Sequence, residues 1–244
     1  KKSRNHTELL AKYLKLPIEI KYNKNYDIIK IRKIKKVKKL NYNIPSDISS
    51  SAFFIVLAVL TKNSKLLIKN VNVNPSRTGI ITILKMMGAK ISFRNKKTYK
   101  GEKRADIKIV NNPNLNAINC PSKLNSEAID EFLLIFLVAA KAKGISYFKN
   151  LSELNEKESP RLKWGAKILK MIGIKTIVTK NSIKIFGNPN LKTNRKITIK
   201  NYLKDHRVFM TSVIAALSFE GKSVWKIYDK DSINTSFPEF LNII

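Results

Sequence analysis

Leu84-Lys-Met-Met-Gly88 and Leu169-Lys-Met-Ile-Gly173 are one phrase met twice, 85 positions apart. Each ends an amphipathic run on a glycine, the residue that commonly stops a helix. The surroundings repeat as well. Lys-Asn-Val at 69–71 returns as Lys-Asn-Leu at 149–151, and Pro45-Ser46 returns as Pro121-Ser122. These offsets of 80 and 76 residues exceed ordinary solenoid periods. Each copy is therefore expected to be a whole helix–strand–helix–strand unit within a quasi-symmetric α/β lobe.

Outward from the repeat, the pattern predicts a helix at 7–14 and strands at 18–21, 27–31 and 40–44. A polar lead, Pro45-Ser-Asp-Ile-Ser-Ser-Ser51, precedes an apolar helix at 52–60 and a strand at 65–71. A helix opened by Arg77 follows, then strands near 91–93, 106–110 and 117–120. The second copy places helices at 131–143 and 162–173, with strands at 146–151, 174–178, 182–186 and 196–199. A third begins with a helix at 207–219 and a strand at 223–228, and the chain stops in a helix at 237–244. The first 44 residues resemble the tail of a copy, and nothing after Ile244 supplies closing strands. The expectation is a fragment.

Composition narrows the class. The 48 Lys and Arg against 17 Asp and Glu give +31, which implies anionic partners or a compositional bias. The lysines are spread through nearly every element, without a stripe or a tail, so charge alone does not argue for nucleic acid. Cys120 is the single cysteine and excludes an intrachain disulfide, which fits a reducing, cytoplasmic setting. The apolar runs at 52–60 and 132–140 fall short of the roughly 20 residues a membrane span needs. With two histidines and one cysteine, a zinc site is not expected.

Ionisable residues gather in the polar leads. Asp47 precedes one helix and Arg77 starts the next. Asp130 and Glu131 open a third, Lys157, Glu158 and Arg161 a fourth, and Asp205, His206 and Arg207 the last. Helix N-termini beside arginines suit several anions, and two carboxylates among cations suit acid–base work. Asp47 and Asp205 read equally as helix N-caps, and His206 as a packing residue. The stretch Glu153-Leu-Asn-Glu-Lys-Glu-Ser-Pro-Arg161 is the densest of these leads. Two cations there flank Glu158 at the mouth of a helix, a place to hold phosphate or carboxylate with a proton donor beside it.

Seven motifs now stand in order: Ser3-Arg-Asn-His-Thr-Glu8, Pro45-Ser-Asp-Ile-Ser-Ser-Ser-Ala52, Asn74-Pro-Ser-Arg-Thr-Gly79, Ile129-Asp-Glu131, Lys157-Glu-Ser-Pro-Arg161, Asp205-His-Arg207 and Thr235-Ser-Phe-Pro-Glu239. Together they resemble the 5-enolpyruvylshikimate-3-phosphate synthases, in the bacterial branch that includes glyphosate-tolerant members. The resemblance runs the whole chain but covers only the C-terminal part of such an enzyme. It implies an enolpyruvyl-transferase-type lobe of three quasi-symmetric βαβαββ units, with residues 1–44 as the tail of a second, similar lobe. Residues 45–244 are then the lobe proper, lacking its closing strands, and the Pro45–Ser49 segment a hinge.

The implied reaction moves the enolpyruvyl group of phosphoenolpyruvate to the 5-hydroxyl of shikimate 3-phosphate, in aromatic amino acid biosynthesis. The resemblance assigns Asp130 as base, Glu158 as proton donor and later acceptor at carbon 3, and Lys157 at the hydroxyl. Ser3 and Arg4, with Asp130 and Lys157, bind shikimate 3-phosphate; Arg161 and Arg207 bind phosphoenolpyruvate. It implies no metal or organic cofactor, no nucleic-acid or membrane partner, and a monomer at full length. Pro160 stands where the family has aspartate, and Ser46 and Ile48 depart from its hinge pattern. Further family substrate motifs fall upstream of Lys1, so this chain alone is expected to be inactive. The alternatives are an enolpyruvyl transferase acting on UDP-N-acetylglucosamine, which lacks the Lys-Glu-Ser-x-Arg and Asp-His-Arg pattern, and a basic nucleic-acid-binding protein.

Overall fold

A computed structural model of the chain describes residues 4–23, 26–34 and 36–244. Helix α1 (His6–Tyr13) leads into an antiparallel hairpin of β1 (Ile18–Tyr22) and β2 (Asp27–Ile31). Residues 40–44, expected as a strand, form none. The apolar–polar alternation there serves a different contact. Tyr42 packs on Tyr99 with ring centroids 5.4 Å apart, and the Arg104 guanidinium lies 3.7 Å over the Tyr99 ring. Strand preference is mostly a record of side-chain packing, and here a cation and an aromatic ring take the side chain instead.

The expected repeat is present. The first copy runs through α2 (Ile48–Leu60), β3 (Lys65–Asn72), α3 (Gly79–Met86), β4 (Lys90–Tyr99) and β5 (Glu102–Val110). The second runs through α4 (Phe132–Lys141), β6 (Gly144–Phe148), α5 (Arg161–Met171), β7 (Thr176–Val178) and β8 (Ile183–Gly187). Both build an antiparallel sheet with the last strand in the middle, β3-β5-β4 and β6-β8-β7. Then come β9 (Lys196–Ile199), α6 (His206–Ser218), β10 (Val224–Ile227) and the short α7 (Phe240–Ile243).

The repeated phrase is a helix stop in both copies. Gly88 and Gly173 have φ of 95° and 98°, which glycine adopts without strain. Ala89 N–H donates to the Leu84 carbonyl and Gly88 N–H to that of Lys85; Ile174 and Gly173 repeat this on Leu169 and Lys170. The nested pair satisfies carbonyls that a helix end leaves open.

Three parallel crossovers set the layout. An extended lead pairs parallel with the strand after each long apolar helix: Ser46 with Val71 around α2, Asn116 and Asn119 with Lys143 and Tyr147 around α4, and β9 with β10 around α6. The segment at 117–120, expected as a strand, contributes only those isolated bridges. Helices α2, α4 and α6 pack on one another. Every residue of α4 from Phe132 to Ala140 is buried, which is why this stretch shows no polar face. Phe132, Phe136 and Phe148 stack within 5.4–6.0 Å at its centre. No helix among the described residues is long and apolar enough to cross a membrane. With the same β–α–β geometry used three times, the leads into α2, α4 and α6 fall at one end of the helix trio.

Candidate active site

At that end the polar leads meet. Asp130, just before α4, lies among four cations from three segments. Arg4 donates to its Oδ2. Lys157 Nζ and Arg161 Nη1 lie 3.6 and 3.5 Å from its Oδ1. Arg207 Nη1 donates to its backbone oxygen at 3.0 Å. Burial pushes the Asp130 carboxyl up, but Arg207, Lys157 and Arg4 outweigh it and hold it at about 2. Asp130 is therefore a fixed negative charge at neutral pH.

Arg161 opens α5 and is almost fully buried. Its Nε and Nη2 fork onto Asp205, at 2.9 Å to Oδ2 and 3.3 Å to Oδ1, and Ser159 donates to the same Oδ2 at 2.8 Å. Asp205 also caps α6, accepting from the Arg207 amide at 2.9 Å. Burial pushes the Asp205 carboxyl up, and the Arg161 guanidinium and these donors bring it below the usual range. Arg161 Nη2 additionally donates to Glu158, whose side chain is half exposed. Burial, and then the Arg207 charge beside it, push the His206 imidazole below its ordinary value.

The structure thus brings Arg4, Asp130, Lys157, Glu158, Arg161 and Arg207 together; Ser3 lies outside the described residues. Asp47 is a true cap of α2, accepting from the Ser50 amide at 3.0 Å. Arg77 does not open a helix. It sits in a single tight turn before α3 and donates to Asp47 Oδ1 at 2.9 Å and Ser49 Oγ at 2.8 Å. Pro160 occupies the cap position of α5, with φ of −70°, and no side chain caps that end. Three residues carry more than their sequence positions suggested. Asp205 clamps Arg161 besides capping α6, Ser159 supports Asp205, and Glu131 turns away from its helix end toward Ser49. The polar leads held these residues, but only packing pairs them across segments. Among the described residues, no group of His, Cys, Asp and Glu is arranged to hold a metal ion.

The family model for EPSP synthase (3-phosphoshikimate 1-carboxyvinyltransferase) matches residues 1–244. The chain belongs to the EPSP synthase family. Among curated EPSP synthases, the 3-phosphoshikimate 1-carboxyvinyltransferase of Petrotoga mobilis is 36% identical over 242 residues, covering 99% of this chain and 54% of its own length. That of Vesicomyosocius okutanii is 39% identical over 241 residues, again with 99% of this chain and 53% of its own length covered. An EPSP synthase structure from Acinetobacter baumannii superposes with TM-score 0.88 at 33% identity, over the whole of this chain and 54% of that one. An enolpyruvyl transferase from Streptomyces tendae, 12% identical with TM-score 0.63 over 93% of this chain and 49% of its own, shares the fold. The chain spans about half the length of the EPSP synthases it matches.

Proposed function

We propose that this chain supplies the acid–base half of a site that transfers the enolpyruvyl group of phosphoenolpyruvate to the 5-hydroxyl of shikimate 3-phosphate, releasing phosphate. The observation that carries the reading is the Asp130 carboxylate ringed by Arg4, Lys157, Arg161 and Arg207, with Glu158 beside Arg161. Both substrates are polyanions, and the ring is cationic. Family membership supports the same reaction.

The chemistry divides among these residues. Asp130 takes the proton of the 5-hydroxyl as its oxygen bonds to carbon 2 of phosphoenolpyruvate, while Glu158 gives a proton to carbon 3. The carbon 2–phosphate oxygen bond then breaks with the departing phosphate taking the proton held by Asp130, and Glu158 recovers a proton from carbon 3 to restore the double bond. Arg161 and Arg207 hold the phosphate and carboxylate of phosphoenolpyruvate. The planar fork of a guanidinium suits that task better than an ammonium does. Lys157 steadies the hydroxyl, and Ser3 with Arg4 holds the phosphate of shikimate 3-phosphate. No metal or organic cofactor takes part.

A carboxylate held at about 2 is a weak base. Substrate anions compete for the cations that hold it there, so binding raises the basicity of Asp130 toward what the reaction needs. Residues 1–44 belong on this reading to the first lobe and 45–244 to the second, so substrates lie between the two.

Phosphate release from the two substrates by the intact protein, as its gene encodes it, tests the proposal. Turnover is expected, and millimolar shikimate 3-phosphate should raise the melting temperature. Absence of both, with polyanion binding that falls steeply with salt, rejects it.

A further inference from the structure

A second polar line runs from Asp47 into the candidate site without itself reaching the mouth. Arg77 Nη2 joins Asp47 Oδ1 at 2.9 Å and Ser49 Oγ at 2.8 Å. Because Ser49 Oγ accepts from Arg77, its single proton is free to go to Glu131 Oε1, 2.5 Å away. Glu131 Oε1 in turn faces Arg207 Nη1 at 3.9 Å. The five participants come from the starts of α2 and α4, the turn before α3, and the start of α6. Glu131 is 3% exposed and sits at the cap position just before α4, yet its side chain makes no cap bond. A buried carboxylate is costly unless it is paired and hydrogen-bonded. It is retained here in contact with Arg207.

We propose that Glu131 is a positioning residue that aims Arg207 at its anion, and that Ser49, oriented by Arg77 and Asp47, holds Glu131 in place. Arg207 has one anchor in the Asp130 carbonyl, which fixes one nitrogen. Burial pushes the Glu131 carboxyl up while Arg207 and the Ser49 hydroxyl pull against that, and its side chain supplies a second support from α4, 3.9 Å from the same nitrogen. Both contacts fall on Nη1 of Arg207. The inference rests on the proposed reaction, since Arg207 is taken there to bind phosphoenolpyruvate.

Steady-state kinetics on the intact protein tests it with Glu131→Gln, which keeps the shape and removes the ionisable group, and with Ser49→Ala. Glu131→Gln is expected to raise KM for phosphoenolpyruvate about tenfold, the equivalent of one well-made charged contact. KM for shikimate 3-phosphate and kcat should each stay within about threefold, as binding of one substrate alone is affected. Ser49→Ala should move the same constant in the same direction, and the double variant should add little to Glu131→Gln, because both act on one path. If Glu131→Gln does not fold, the Ser49→Ala split decides alone. An unchanged KM for phosphoenolpyruvate in the folded variants, or an equal loss of kcat without a KM change, overturns the positioning role while leaving the reaction standing. Absence of turnover in the wild-type protein overturns the reaction and this inference with it.

Discussion

Asp205 has no exposed side-chain surface and gives both oxygens to Arg161, so the pair behaves as one buried unit. Removing Asp205 leaves the buried Arg161 with the half-exposed Glu158 and a 3.5 Å approach to Asp130 in place of its two-oxygen partner. Asp205→Ala is therefore expected to cost about 3–5 kcal/mol, read by urea denaturation. Glu158 shares the same arginine but is half exposed, and an exposed ion pair contributes about 0–1 kcal/mol. Glu158→Gln should leave stability nearly unchanged and lower kcat of the intact protein by about 10²–10⁴, the usual worth of a positioned acid. The two substitutions separate a structural partner of Arg161 from a chemical one. The sequence showed Lys157-Glu-Ser-Pro-Arg161 as a site of opposed charges. That Arg161 is buried follows from Asp205, 44 positions later, and no local pattern carries that information.

Helix α5 sits close enough to α4 that its Gly165 is pressed against an aromatic ring. A Cβ there would lie 2.6 Å from Phe136 Cδ2, and Phe136 is itself wedged against Phe132 and Phe148. Gly165→Ala should gain at most about 1 kcal/mol in helix propensity. Overpacking costs about 1–3 kcal/mol, so the melting temperature should fall. At the start of α2, Asp47→Ala should lose about 1 kcal/mol of capping, again by thermal melting. The elements themselves were largely legible, because glycine stops, polar leads and apolar runs are local signals. The strand expected at 40–44 was not, since its tyrosine is drawn to Arg104 and Tyr99, far along the chain.

For the molecule as a whole, the converging ends of α2, α4 and α6 hold two carboxylates, Asp130 and Asp205, whose ionisation favours the fold, whereas burial pushes Glu131 the other way. Asp130, held at about 2, and Asp205, held below the usual range, both have folded values under the ordinary aspartate value near 3.9. Their stabilisation is present above that value and is lost as pH falls toward 2. Asp130 alone accounts for about 2 kcal/mol. Urea denaturation at pH 7, 4 and 3 should show the decline, with a shallower slope in Asp130→Asn. The sequence by itself determined the repeated units, their helix stops and which leads carry charge, because these depend on neighbours a few residues away. Only the tertiary structure decided which cation faces which carboxylate, and that Glu131 looks toward Ser49 and Arg207. Such pairings arise when three crossovers pack their helices side by side, bringing together residues 44 to 126 positions apart.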